Sequence, residues 1–264
     1  MHNYLIAALL GVIEGLTEFL PVSSTGHLIL FVDLLGFQAP PGKTFEVMIQ
    51  LGAILALILL YFGKLWSTLI GLPTDPQARR FAIVILLAFL PAMVLGALLH
   101  GFIKEKLFSA TVVATALIIG GIAILLVERI AKREVYSSVD DVPPITGFWV
   151  GVAQCMALIP GTSRSGATII GGLLLGLERR TAAEFSFFLS IPTMTAAFAY
   201  DLYKNRAELS FDDAGLIGVG FVAAFIAALL VVKPFLAIVS RIGFAPFAFY
   251  RVALGVFVLT LLYT

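Results

Sequence analysis

The residues best suited to chemistry lie in two short stretches, residues 11–30 (GVIEGLTEFLPVSSTGHLIL) and residues 151–170 (GVAQCMALIPGTSRSGATII). In the first, Glu14 and Glu18 are four positions apart, which places two carboxylates on one helical face. A charge at the centre of a bilayer costs about 2.5–3.5 kcal/mol on insertion scales, so two on one face call for a cation. An all-oxygen pair suits Mg2+ or Ca2+, with a substrate phosphate supplying further ligands. The other reading of Glu14 and Glu18 is structural, as ions that snorkel or pair with a basic side chain. Arg164 carries a planar, permanently charged fork that fits phosphate oxygens, or Glu14 or Glu18 in a resting state. His27 titrates near neutrality and follows a polar turn, which suits a general acid or base. Ser24 is the hydroxyl favoured as nucleophile, since it overlays Arg164 and lies three residues before His27. Water activated by His27 or by the metal is the competing nucleophile.

Laying residues 11–30 over 151–170 matches Gly11 with Gly151, Val12 with Val152, Ser23 with Ser163 and Gly26 with Gly166. Glu14 then meets Gln154 and Ser24 meets Arg164, so the copies share a small polar frame but differ in charge. Each frame is a turn of hydroxyls and glycine leading into an apolar helix, PVSSTG and PGTSRSG. Free N–H groups at a helix start, with the helix dipole behind them, attract anions. The expected phosphate ligands are Ser23, Thr25 and Gly26 from one turn and Gly161, Thr162, Ser163, Ser165 and Gly166 from the other. A single turn of this kind is an ordinary cap; two at matched positions argue for one anion held between them.

The elements that must position these groups are membrane helices. The 264-residue chain is 60% hydrophobic and 12% charged with a mean hydropathy of +1.05, against about 25% charge in soluble domains. The net charge of +1 and the lack of a basic stripe exclude nucleic acid as a partner. Membrane lipid is the expected surrounding, and self-association is left open. Cys155, the one cysteine, has no disulfide partner within the chain and reads as small core filler. The N-terminus lacks a basic region and a cleavage pattern, so the chain is expected to insert uncleaved.

Residues 4–20 read as a short helix stopped by Pro21, and 28–35 as a second apolar run, giving a re-entrant pair over 4–35. Spans follow at Phe45–Phe62, Phe81–His100 and Ala110–Val127, with a loop between the first two that carries Lys64, Pro76, Arg79 and Arg80. The second copy repeats the plan with a broken segment at 148–176 and spans near 185–200, 214–232 and 246–263. The expected fold class is an all-α integral membrane protein with an inverted-topology repeat, each half a re-entrant helix pair plus three transmembrane helices. It forms one membrane domain, with repeats 1–128 and 148–264 joined by a polar connector at 129–147. On that topology Lys64, Arg79, Arg80, Arg129, Lys132, Arg133, Arg179, Arg180, Lys233 and Arg241 share one side, against Lys43, Lys104, Lys106, Lys204 and Arg206. The richer side is expected to be cytoplasmic. Arg251, inside the last span, pairs with a carboxylate or faces a cavity. Gly172 and Gly176 read as a packing face, Glu46 and Glu184 as helix-start acids, and His2 and His100 as non-functional.

EGLTEFLPVSSTGH at 14–27 and PGTSRSG at 160–166 resemble the two signature motifs of the undecaprenyl-diphosphate phosphatase family, also called the bacitracin-resistance proteins. The resemblance covers nearly the whole chain. It implies a multi-pass enzyme of the bacterial inner membrane that removes the terminal phosphate from the C55 isoprenyl diphosphate, a polyprenyl diphosphate lipid substrate, and so recycles the carrier for wall synthesis. It also implies a divalent metal and a site open to the periplasmic side. The family's acidic motif falls on Glu14 and Glu18, its serine and histidine on Ser24 and His27, and its phosphate-binding arginine on Arg164. The alternative from another class is a secondary transporter or flippase for an anionic lipid or phosphate-containing solute, because inverted repeats with broken helices are a usual transporter design.

Overall fold

A computed structural model describes residues 2–37, 44–107, 109–131, 134–204 and 214–263. Lys43, Lys132, Arg133 and Arg206, which entered the charge comparison, lie outside the described residues, as do the side chains of Lys104, His2 and His100. The first half contains α1 (His2–Thr17), α2 (Ser24–Leu34), α3 (Thr44–Leu60), α4 (Phe62–Gly71), α5 (Pro76–Phe102) and α6 (Ala110–Ile130). The second contains α7 (Pro144–Gln154), α8 (Arg164–Leu174), α9 (Arg179–Lys204), α10 (Ala214–Ile242) and α11 (Ala245–Tyr263). Among the described residues five helices are long and apolar enough to cross a membrane, or six if the bent pair α3–α4 is one span.

Three expectations are corrected. The first span does not give way to a loop at Phe62: the chain bends by 72° at Tyr61 and continues as α4. That segment, FGKLWSTLIG, has no proline, so nothing stops the helix, and Lys64 sits on α4 while Arg79 and Arg80 belong to α5. The span in α10 runs past its expected end because Pro234 sits inside it without ending it, as membrane helices allow, and α5 and α9 extend past their expected bounds at both ends. Gly176 is no packing-face glycine: it lies beyond α8 with φ +89°, and its carbonyl accepts from Val135 and Tyr136 of the connector.

The halves interlock crosswise. α1 packs chiefly on α10 and α7 on α5, so each broken segment rests on the other half's second span. Exchanging the halves also carries the α3·α10 contact onto α9·α5 and leaves α6·α11 and α3·α9 unchanged, as a pseudo-twofold relation requires. Glycine permits the approach: a methyl at Gly15 would lie 2.8 Å from the Ala227 Cβ and 2.9 Å from the Ala228 nitrogen of α10. A methyl at Gly147 of α7 would meet Val84 Cγ1 of α5 at 2.7 Å.

Charged residues meet at one end of the bundle. Lys64 pairs with Asp140 at 2.6 Å, Arg80 donates to the Asp141 carbonyl at 2.9 Å, and Arg179 pairs with Glu128 at 2.9 Å. Glu128 also accepts from the Phe244 N–H at 2.9 Å, which ties the start of α11 to the end of α6. The α4 helix, the connector and the α8–α9 and α10–α11 junctions therefore share a side, as the expected topology demands.

Candidate active site

Each half breaks its re-entrant segment at a serine forced into left-handed backbone. Ser23 has φ 69° and Ser163 φ 73°, the only non-glycine residues with positive φ among those described. Such geometry costs roughly 1–2 kcal/mol for a residue with a Cβ, and strain of this kind concentrates at functional sites. Each serine caps the helix that follows: Ser163 Oγ accepts from Gly166 N at 3.1 Å and Ser23 Oγ from Gly26 N at 3.4 Å. The first N–H groups of α2 and α8 have no intrahelical acceptor, and the two turns border a common space.

That space is a cavity of about 280 Å³ between the two turns. Glu18, Ser23, Ser24 and Thr25 line it from the first half, and Gly161, Ser163 and Arg164 from the second. Gln50 of α3 and Met194 of α9 also line it.

One carboxylate joins the halves. Glu18 follows the last residue of α1 and keeps the helical bond of its N–H to the Glu14 carbonyl, 2.9 Å. Phe19, fully buried edge-on against Phe187 of α9 at 5.6 Å and 80°, fixes the chain beyond it. Ser24 Oγ donates to Glu18 Oε2 at 2.5 Å and Arg164 Nη2 to Glu18 Oε1 at 2.9 Å. Arg164 is also held by α9: Nη1 donates to the Ser186 carbonyl at 2.9 Å and to its Oγ at 3.2 Å. Thr168 Oγ1 donates to Ser186 Oγ at 2.7 Å, so Ser186 is itself fixed. Arg164 Nε is buried with no partner among the described residues, which leaves one donor of the fork for a ligand.

The remaining expected residues stand behind the cavity wall rather than in it. Ser165 Oγ donates to the Leu20 carbonyl at 2.7 Å and lies 3.0 Å from Ser163 Oγ, latching one turn to the other. Gly26 and Gly166 give their N–H groups to the caps. Thr162 gives its N–H to Ile159 and its carbonyl to Arg251. His27 is buried, with Nδ1 2.8 Å from the Ser23 carbonyl and Nε2 2.6 Å from Tyr250 Oη. A carbonyl only accepts, so Nδ1 carries a proton, and in the neutral ring Nε2 accepts from the tyrosine. The imidazole thus supports the turn at Ser23 and does not reach into the cavity.

Glu14 is fully buried and neither of its oxygens has a partner among the described residues. Its electrostatic neighbours are Glu18, Arg164 and Glu46. A buried, unpaired carboxylate needs a proton or a cation, so Glu14 fits a hard divalent ion better than Glu18, whose two oxygens are engaged. Among the described residues no group of three or more His, Cys, Asp and Glu side chains could by itself hold a metal. Sequence reasoning did not find Ser186, Gln50, Met194 or Tyr250. The only signal for Ser186, Gln50 and Tyr250 was a polar side chain within an apolar span, and Met194 gave none. Arg251, left between a carboxylate and a cavity, meets neither among the described residues and binds four carbonyls instead.

A polytopic membrane protein with crosswise repeats, its two strained turns gathered on one carboxylate around an anion-sized cavity, is the class that this fold and site define. The chain belongs to the family of bacitracin resistance protein BacA, whose family model matches residues 7–257. It is 56% identical over 264 residues to the undecaprenyl-diphosphatase of Caulobacter vibrioides, covering 100% of this chain and 99% of that one. Undecaprenyl-diphosphatase 2 of Paramagnetospirillum magneticum is 57% identical over 249 residues (94% of this chain, 95% of that one). Undecaprenyl-diphosphatase 1 of Agrobacterium fabrum is 56% identical over 255 residues (96% and 95%).

Proposed function

We propose that this chain is an undecaprenyl-diphosphatase, which hydrolyses the terminal phosphate of the C55 isoprenyl diphosphate to give the monophosphate and inorganic phosphate. The observation that carries the reading is the Ser24–Glu18–Arg164 chain of hydrogen bonds, which sets a nucleophile, its base and a phosphate-binding cation around one cavity. The terminal phosphoryl group sits between the turns, its oxygens on the α2 and α8 N–H groups and on Arg164. Ser24 Oγ attacks phosphorus as Glu18 takes its proton, and the bond from phosphorus to the bridging oxygen breaks, so that the lipid monophosphate leaves. Glu18 passes that proton to the departing lipid monophosphate; water then attacks the phosphoserine, giving a proton to Glu18, which returns it to Ser24 Oγ as inorganic phosphate leaves. Glu14 would hold a divalent cation, which would supply charge neutralisation at the phosphate oxygens.

The site opens to the outer side of the bacterial inner membrane on this reading. What supports it is the gathering of Lys64, Arg80 and Arg179 at one end of the bundle, the end that basic residues mark as cytoplasmic.

The test is phosphate release from C55 isoprenyl diphosphate by the purified chain in detergent with Mg2+, beside Arg164→Ala and Ser24→Ala at equal folded concentration. Release by the wild type but not by Arg164→Ala is expected. Trapping of 32P on Ser24 distinguishes the serine nucleophile from direct attack by water. No release under any divalent metal would overturn the enzyme in favour of a transporter, which does not turn over without a gradient.

A further inference from the structure

The last helix supplies a residue with no role in the chemistry above. Arg251 lies within α11, is fully buried and ranks first by volume among the side chains so enclosed. Every acceptor it uses is a main-chain carbonyl: Nη1 donates to Pro21 at 3.2 Å, and Nη2 to Ala116 at 3.2 Å, Gly161 at 3.1 Å and Thr162 at 2.8 Å. Pro21 belongs to the turn that carries Ser24, and Gly161 and Thr162 to the turn that carries Arg164. Ala116 belongs to α6, which packs along α11.

A guanidinium in a membrane span with no carboxylate beside it among the described residues is costly, so its use must lie in what those carbonyls need. They need a fixed separation. A planar fork sets distance and angle together, where an ammonium is a point charge. Space for it is built in: a methyl at Gly120 of α6 would collide with Arg251 Nη2, and one at Gly166 of α8 would lie 2.8 Å from Nη1.

We propose that Arg251 is a positioning residue that splints the two half-sites, holding the Ser24 turn in line with the phosphoryl group on the Arg164 turn. The proposal rests on the phosphatase reading. Without the splint each turn keeps its own ligands, so substrate still binds. What fails is the line of attack, where a displacement of about 1 Å costs about 100-fold in rate.

The experiment measures kcat and KM for C55 isoprenyl diphosphate with Mg2+ in Arg251→Met, Arg251→Lys and Gly120→Ala, each corrected for folded fraction by thermal unfolding. Gly120→Ala touches neither turn and only crowds the guanidinium. Spin labels at Thr25→Cys and Ala157→Cys in a Cys155→Ser background report the gap between half-sites without any turnover. Expected are a fall in kcat of about 30- to 100-fold with KM within about threefold, and a broadened distance distribution, in every variant that folds. Arg251→Lys keeps the charge, so wild-type kcat in that variant overturns the splint. A loss confined to KM, or an unchanged distance distribution, also overturns it. Absence of phosphate release by the wild type would instead overturn the phosphatase reading, and the distances would still judge the splint.

Discussion

Ser23 and Ser163 are the same residue of the two repeats, and both hold the left-handed backbone that L-residues avoid, at φ 69° and 73°. Each caps the helix after it through its own hydroxyl. Cap and strain oppose each other, and substitution separates them. Ser163→Ala loses the cap and keeps the strain, so a loss of about 1–2 kcal/mol is expected in thermal unfolding. Ser163→Gly also loses the cap but relieves the backbone, and should stay within about 0.5 kcal/mol of wild type. Equal losses in the two variants would show that the turn is not strained.

The Glu18–Arg164 pair is mostly buried, with side-chain exposures of 7% and 13%. Removing one partner leaves the other charge unmatched, so Arg164→Met and Glu18→Gln should each destabilise the fold, by up to about 3–5 kcal/mol. The double variant should lose less than the sum, which a double-mutant cycle of unfolding reads directly. Glu18→Gln should also lower kcat by about 10²–10⁴-fold, the usual worth of a general base.

Tyr250 and Ser23 occupy both nitrogens of His27, which makes the ring a prop for the turn. An asparagine at this position keeps an N–H that can reach the Ser23 carbonyl but cannot shuttle protons as imidazole does. His27→Asn is therefore expected to retain activity within about tenfold of wild type, and His27→Ala to lose about 100-fold, in line with a turn displaced by about 1 Å. Tyr250→Phe should fall between wild type and His27→Asn. Indistinguishable losses in His27→Asn and His27→Ala would return His27 to general acid–base chemistry.

A cation on Glu14 should stabilise the folded chain. Mg2+ at about 100 times its dissociation constant adds about 2.7 kcal/mol, visible as a rise in the unfolding midpoint. Glu14→Gln should abolish that rise and leave the metal-free midpoint about unchanged, because a buried carboxyl with neither partner nor cation takes a proton and the amide is a neutral replacement of similar shape. A rise that persists in Glu14→Gln would place the cation elsewhere.

Both turns were legible in the amino-acid sequence because duplication repeats their hydroxyls and glycines at matched positions, and the overlay of Ser23 on Ser163 predicted a shared geometry. The class of fold was legible from hydropathy and from counting spans. Helix ends were not: Pro234 looks like a stop, yet a membrane helix tolerates it, and α4 carries no marker that separates it from a loop. Within the site, spacing set Glu14 and Glu18 on one face but could not assign them different work. Only the contacts show Glu18 tied to Ser24 and Arg164, and Glu14 without a partner among the described residues. Arg251 escaped because its partners are carbonyls, which every residue possesses and no side-chain pattern announces.

The crosswise seating of α1 on α10 also bears on how the protein is made. Synthesis runs from the N-terminus, so the helix that carries Glu14 leaves the ribosome well before residues 214–242, the surface it finally rests on. Its glycine face and its carboxylate therefore wait, unseated, while α3 to α9 are inserted. Closing so distant a contact is slow, since the chain between must first be ordered. Assembly is completed only when about the last fifth of the chain enters the bilayer, and until then the nascent protein holds an acidic half-helix that lipid alone cannot satisfy.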